Sequence, residues 1–344
     1  MNHTNVCPGC ESKELLRLSP RQTKEARLIL NLCRGCGLVF ANPMYTDGEK
    51  LWLEPDVRRL HRSRSAEVGV RRAVLRSRQR ATRWEYALRD YLAPGDRVLE
   101  VGAGDGALVE SLRARGCRVT ALDPDEEACA WIRRELGADV ISARVEDVDW
   151  TALGPFKAVF MLNVIEHFED PAKVLGMLAA TLVPGGLIAI ETPNILRTKV
   201  GPRRMFSLPH NYYFCPESLD RLLMRTGFAA LRCRVFPRDM FHLVARKVDL
   251  PPDRGVDERQ VAVTVAAAIR QHRWRYVLSG QFLWRKLPWL RDWYLYGRYQ
   301  DQSFSLPRAR VQEALAGNAP TVHGQAPSEN AASMSVQAGS GFTG

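Results

Sequence analysis

The sequence predicts an α/β protein built around a doubly wound sheet of seven strands, and three observations lead there. From Asp96 to Arg246, short runs rich in Val, Ile and Leu alternate with longer amphipathic stretches, the pattern of a parallel sheet covered by helices. The first run leads straight into a glycine-rich turn and an amphipathic helix, Arg97-Val-Leu-Glu-Val-Gly-Ala-Gly-Asp-Gly-Ala-Leu-Val-Glu-Ser-Leu112. The last two runs lie so close together that an antiparallel hairpin is expected. Together these features describe a Rossmann-like sheet.

The expected strands are Arg97–Val101, Arg118–Leu122, Asp139–Ile141, Ala158–Leu162, Leu187–Glu191, Leu231–Phe236 and Phe241–Arg246. Around this core, assigned to 95–247, the chain divides into four further segments. Residues 1–50 carry two cysteine pairs and close on Leu38-Val-Phe-Ala-Asn-Pro43, an apolar run stopped by a turn signal, as in a small β-ribbon. Residues 51–94 are dense in Arg, Ala and Leu and read as helix between Pro55 and Leu92. Residues 248–315 follow Pro251-Pro252 and read as a helical, basic and aromatic extension. The stretch 316–344 is rich in Gly, Ala, Ser and Asn with no hydrophobic period, so it is expected to be disordered.

A chain with 46% hydrophobic and 25% charged residues can bury a full α/β core. No stretch approaches the roughly 20 apolar residues that span a bilayer, which points to a cytoplasmic protein or one peripheral to the inner face of the membrane. The net charge of +11 gathers between Arg58 and Arg89 and in the C-terminal third, and implies anionic partners without choosing among nucleic acid, lipid headgroups and phosphorylated substrates.

In the glycine turn, Gly102, Gly104 and Gly106 let the backbone bend tightly and approach a ligand, and the helix beyond points free N–H groups at the same space. The spacing is G-x-G-x-G with Glu100 two residues ahead, unlike the G-x-G-x-x-G of dinucleotide folds. About 20 residues on, the second strand ends in Asp123, where a carboxylate can accept both hydroxyls of a ribose. An adenosine-containing ligand follows, with a glycine turn that serves only packing as the alternative.

Three further segments complete a resemblance. They are Phe156-Lys-Ala-Val-Phe-Met-Leu-Asn-Val-Ile-Glu-His-Phe-Glu-Asp-Pro171, the Pro-Gly-Gly turn in Leu182–Leu187, and His210-Asn-Tyr-Tyr-Phe-Cys-Pro-Glu-Ser-Leu219 with Gly227-Phe228 after it. With the glycine loop, residues 95–247 resemble the class I S-adenosylmethionine (SAM)-dependent methyltransferases, and the first 50 resemble the zinc ribbon that precedes this domain in many bacterial members. The resemblance implies SAM as cofactor, with Glu100 and the backbone of Gly102, Ala103, Gly104 and Gly106 at the methionine end. It implies Asp123 and Pro124 at the ribose, Val145 and Glu146 beside the adenine, and Asn163 with Val164 beneath the sulfonium. Many relatives carry Asp where Arg144 stands, so Glu146 or Asp147 would take over the adenine amino group.

Cys7-Pro-Gly-Cys10 and Cys33-Arg-Gly-Cys36 are two tight knuckles that can supply four thiolates to one tetrahedral ion. Four thiolates leave no open coordination position, so a zinc held there is structural. A pair of redox dithiols and a vestigial ribbon without metal are the competing readings. The ribbon's Arg and Lys are interspersed with Glu, and stacking aromatics are almost absent before Phe40, which favours folding and docking over nucleic-acid binding.

Methyl transfer is an in-line displacement on a sulfonium, so a nucleophile must be aligned and its proton removed. His167, after the fourth strand, and His210, after the fifth, stand at carboxyl ends of strands, where ligands bind in open sheets. Tyr213 joins them as a candidate from the same aromatic loop. For His167 the alternative is capping of the helix near Asp170-Pro171. The sugar C-methyltransferases carry Glu-His in the comparable loop; Pro209 precedes His210 here, which shifts the expectation to O-methylation of a hydroxyl on a glycan, lipid-linked saccharide or secondary metabolite. An RNA methyltransferase, a sugar C-methyltransferase and a non-catalytic SAM-binding protein are the alternatives. Between 270 and 299, aromatic residues such as Trp274, Trp284 and Trp293 interleave with Arg273, Arg285 and Arg291, as in an interfacial membrane anchor or a helical extension packed on the core.

Overall fold

The computed structural model describes residues 3–18, 21–22, 27–46, 77–84, 87–196, 205–206, 210–236, 240–249 and 258–278. Seven strands form the central sheet: β6 (Arg97–Val101), β7 (Arg118–Asp123), β8 (Asp139–Ser142), β9 (Phe156–Leu162), β10 (Leu182–Pro193), β12 (Phe228–Val235) and β13 (Met240–Lys247). Their order is β12-β13-β10-β9-β6-β7-β8, and β13 alone runs antiparallel to the other six. The strand order reverses between β6 and β9, and that switch point opens a crevice at the carboxyl ends of both strands.

Alternation along each strand sends side chains to two cores. Val98, Phe160, Ala189 and Val244 face helix α1 (77–84) and helix α2 (Ala107–Ala114). Leu99, Val101, Val159, Met161 and Ile190 face α4 (Pro171–Thr181) and α5 (Pro216–Arg225). A short helix, α3 (Glu126–Trp131), joins β7 to β8 and is capped by Asp125, whose carboxylate accepts from the Glu127 and Ala128 N–H groups.

Most expected strands match to within a few residues, and the hairpin is present. The largest difference is β10, which begins at Leu182. Register passes from Leu182↔Phe156 to Leu187↔Ala158, so the Pro-Gly-Gly turn is looped out within the strand, with Gly185 at φ +70°. Of the helix expected between Pro55 and Leu92, residues 77–84, 87 and 88 are helical, and 55–76 lie outside the described residues.

The N-terminal segment is a ribbon of β1 (Leu15–Arg17), β2 (Arg21–Gln22), β3 (Arg27–Leu28), β4 (Leu30–Cys33) and β5 (Val39–Ala41). Its sheet does not end within the segment. Strand β11 (Tyr212–Tyr213), from the loop after β10, pairs antiparallel with β5 through Tyr212↔Phe40 and Tyr213↔Val39. The ribbon is thereby sewn to the core, and Leu38 and Phe40 join the same apolar cluster as Ile190 and Leu219.

The C-terminal helix α6 (Glu258–Leu278) completes this layer. Val265 and Ile269 pack with Leu28, Leu30, Val39 and Tyr213. Its first turns sit so close to the second cysteine knuckle that a Cβ on Gly37, at φ +75°, would lie 2.7 Å from Val261 Cγ1. The remainder of the basic and aromatic extension beyond 278, and the stretch expected to be disordered, lie outside the described residues.

Candidate active site

The glycine turn between β6 and α2 is shaped by three left-handed residues, Gly102 (φ +73°), Gly104 (φ +52°) and Gly106 (φ +68°). A Cβ on Gly102 would lie 2.4 Å from Val164 Cγ2, which leaves no room for any side chain. At Gly104 a Cβ would meet nothing within 4 Å, so that backbone faces open space. Asp123 braces the turn: Oδ2 accepts from the Gly104 N–H at 2.8 Å and Oδ1 from the Asp125 N–H at 2.9 Å. Each carboxylate oxygen keeps acceptor capacity for a hydroxyl.

Among the described residues, two buried acceptors of these segments have no hydrogen-bond partner, Glu100 Oε2 and Asn163 Oδ1. Burial, then the charges of Asp105 and Asp123, push the Glu100 carboxyl well above the usual range. A cationic ligand group would reverse that cost. Asn163 holds φ +60°, uncommon for a residue with a side chain, and its N–H donates to the Glu191 carbonyl at 2.8 Å. An open glycine cradle, a ribose-competent carboxylate and an orphaned acid suited to an ammonium fit SAM.

Ala103 and Val145 are buried, Glu146 and Val164 half-buried, and Pro124 exposed. Arg144 turns toward both neighbouring acids, 3.6 Å from Glu146 and 4.0 Å from Asp147. Helix α1 spans the crevice from one side to the other. Ser77 donates to Asp105 and Arg78 pairs with Glu110 on the α2 side, while Arg80 pairs with Glu191 on β10 at 2.7 Å. Trp84, fully buried, donates to the same Glu191 carboxylate and stacks on His242 at 4.3 Å. Burial pushes Glu191 up, but the hydrogen bond from His242 and the charge of Arg80 outweigh it and hold the acid below its ordinary range.

Beyond β9 the chain forms a single turn, Ile165–His167, before α4. Asp170 caps that helix by accepting from the Lys173 N–H, and Pro171 takes the first turn, so capping does not engage His167. The His167 and His210 rings meet edge to face with centroids 4.7 Å apart, and Tyr213 lies 6.0 Å from His210. Glu166 completes the group, since its carboxylate and the two imidazoles bring ligand atoms within 4.8 Å of one another. Glu166 is 1% exposed, accepts from Thr192 Oγ1 at 2.9 Å through Oε2, and is pushed by burial to about 7. Glu166, Thr192 and Glu191 were not among the residues expected from sequence. The Glu-His pair after β9 was the available signal for the first, whereas the other two look like ordinary β10 residues.

The four cysteine sulfurs also lie within 4.8 Å of one another, with Cys7 to Cys36 at 3.7 Å and Cys10 to Cys33 at 3.5 Å. Zinc–sulfur bonds of about 2.3 Å in a tetrahedron place sulfurs about 3.8 Å apart, so the donor set fits zinc.

A family profile described as "Methyltransferase domain" matches residues 70–232, which contain the crevice, α1 and the His167–His210 contact. This stretch, just under half of the chain, is similar to methyltransferase domains. Among curated relatives, the chain is 33% identical over 117 residues to the ubiquinone biosynthesis O-methyltransferase of Xanthomonas campestris pv. campestris (strain B100), covering 33% of this chain and 49% of that protein. It is 32% identical over 117 residues to the enzyme of the same description from Xylella fastidiosa (strain M23), covering 33% and 48%. The chain thus spans about half the length of the curated relatives it matches. Among solved structures, a SAM-dependent methyltransferase from Archaeoglobus fulgidus aligns with 16% identity over 49% of this chain and 94% of that one, at a TM-score of 0.43.

Proposed function

We propose that this chain transfers a methyl group to a hydroxyl of a small-molecule, glycan or lipid-linked acceptor, with His210 and His167 accepting the hydroxyl proton. The observation that carries the reading is the contact of two imidazoles, from the turn after β9 and the loop after β10. SAM, when bound, supplies an electrophilic methyl. Glu100 and the Gly102–Gly106 backbone hold its amino-acid end, Asp123 its ribose, and the segment around Val145 and Glu146 its base. One imidazole takes the acceptor proton while the other, with Glu166 behind, receives or stabilises the charge. Helix α1 screens the crevice from water, which favours displacement over hydrolysis. The names of the curated relatives support oxygen as the accepting atom.

The four-cysteine cluster is read as a structural zinc site whose task is to hold the ribbon against the His210 loop. Acceptor hydroxylates, including phenols and saccharides, tested with labelled SAM provide the check. Incorporation that falls at least about 100-fold in His210→Ala, with S-adenosylhomocysteine affinity retained, supports the reading. Unchanged turnover in both His210→Ala and His167→Ala would remove the histidines from the mechanism.

A further inference from the structure

On the side of α1 that meets the β12–β13 hairpin, the two elements line a recess of about 290 Å³. Its floor is made of three rings, with Trp84 stacked on His242 and Phe236 tilted against His242. His242 lies between Trp84, at 4.3 Å, and Phe236, at 4.1 Å. Its rim is cationic. The Arg83 and Arg234 guanidinium carbons stand 5.4 Å and 5.1 Å from the same Phe236 ring centroid, and Arg232 joins them along the strand.

The sheet register explains why these groups converge. Arg234 pairs with His242 and Arg232 with Val244, so both arginines project on the face that meets Trp84. No carboxylate is among the described residues lining the recess. Glu191 lies behind His242 and is engaged by His242, Trp84 and Arg80. Edge strands often carry charge to block extension of a sheet, but that task requires neither a concave site nor an aromatic floor.

We propose that this recess binds an anionic ligand whose phosphate or carboxylate is attached to a flat apolar body. The body would stack on Phe236 and the Trp84–His242 edge while Arg232 and Arg234 take the anion. Guanidinium groups held over an aromatic ring are pre-oriented for charge-assisted, bidentate hydrogen bonds, and the low-dielectric floor strengthens them. The recess shares α1 with the SAM crevice but is lined by none of the residues assigned to the cofactor, and the proposal stands whether or not the acceptor is a hydroxyl.

Calorimetric titration of the full chain with phenyl phosphate, benzoate, inorganic phosphate and neutral benzyl alcohol tests it. At least one of the two aryl anions should bind about tenfold more tightly than benzyl alcohol and than inorganic phosphate, and comparing the two identifies the preferred anion. Arg232→Ala and Arg234→Ala, both on the exposed edge strand, should each weaken that binding about tenfold without changing S-adenosylhomocysteine affinity, which also reports that the variants are folded. Aryl anions that bind no better than benzyl alcohol, or binding unchanged in both variants, would overturn the proposal.

Discussion

Asn211 satisfies both backbone polar groups of Tyr45: its Oδ1 accepts from the Tyr45 N–H and its Nδ2 donates to the Tyr45 carbonyl, each at 2.9 Å. The same Nδ2 donates to the Phe168 carbonyl at 3.1 Å, and the Asn211 main chain bonds Ala41 and Glu166. One fully buried carboxamide therefore joins the ribbon, the turn after β9 and the loop that carries His210.

Replacing Asn211 with Ala removes three hydrogen bonds to buried backbone groups of Tyr45 and Phe168. Unpaired buried groups cost about 1–3 kcal/mol each, offset in part by relaxation, so a loss of roughly 2–4 kcal/mol is expected in denaturant unfolding. A variant as stable as the parent would show that the junction contributes little.

Purified protein should carry one zinc per chain, measured by atomic emission. Removing the ion, or substituting Cys33→Ser, should lower the melting temperature and expose thiols to titration, because the knuckles anchor β4, β5 and the first turns of α6. Metal-free protein with unchanged melting in Cys33→Ser would rule out a structural ion.

Gly102→Ala should abolish cofactor binding with the fold retained. The new Cβ meets Val164 at 2.4 Å and the backbone sits at φ +73°, so the turn must shift where a ligand lies against it. A fall of at least about 100-fold in S-adenosylhomocysteine affinity is expected by calorimetry, and an affinity within about threefold of the parent would contradict the assignment.

Glu166 makes stability depend on pH in a defined direction. Burial raises its carboxyl from 4.5 in the unfolded chain to about 7, so the folded state holds the proton more tightly. Its contribution is fully present below about pH 4.5 and is lost as pH rises through 7, on the order of 3 kcal/mol in all. Glu166→Gln should flatten that decline and leave the variant more stable than the parent above pH 7. Parallel stability curves for the two proteins would show that the carboxyl titrates alike in the folded and unfolded chains.

Arg80→Met should loosen the cover over the crevice. Glu191 keeps its bonds from Trp84 and His242, so the cost is held to about 1–2 kcal/mol. Hydrogen exchange along 77–84 should accelerate. Unaltered protection there would mean that the other contacts of α1 hold the helix without Arg80.

The cofactor half of the site was legible because its signals are local. A strand, three glycines and a helix follow one another within Arg97–Leu112, and Asp123 ends the adjacent parallel strand by simple spacing. The acceptor half was legible only as a set of candidates. His167 and His210 are 43 positions apart, and sequence carries no sign that their rings touch. Glu191 and Thr192 read as ordinary strand residues, because only the packing of α1 and the turn after β9 against the end of β10 gives them polar partners.

By itself the sequence determined the seven-stranded order of elements, the glycine cradle with its carboxylate, and two cysteine knuckles, since periodicity and short spacings encode each of them. The tertiary structure decided how the pieces join. Tyr212 and Tyr213 complete the ribbon's sheet, α6 closes over Gly37, and α1 bridges Glu110 and Glu191 across the crevice. These are contacts between segments remote in the chain, selected by which apolar faces and unpaired backbone groups remain to be covered once the central sheet has formed.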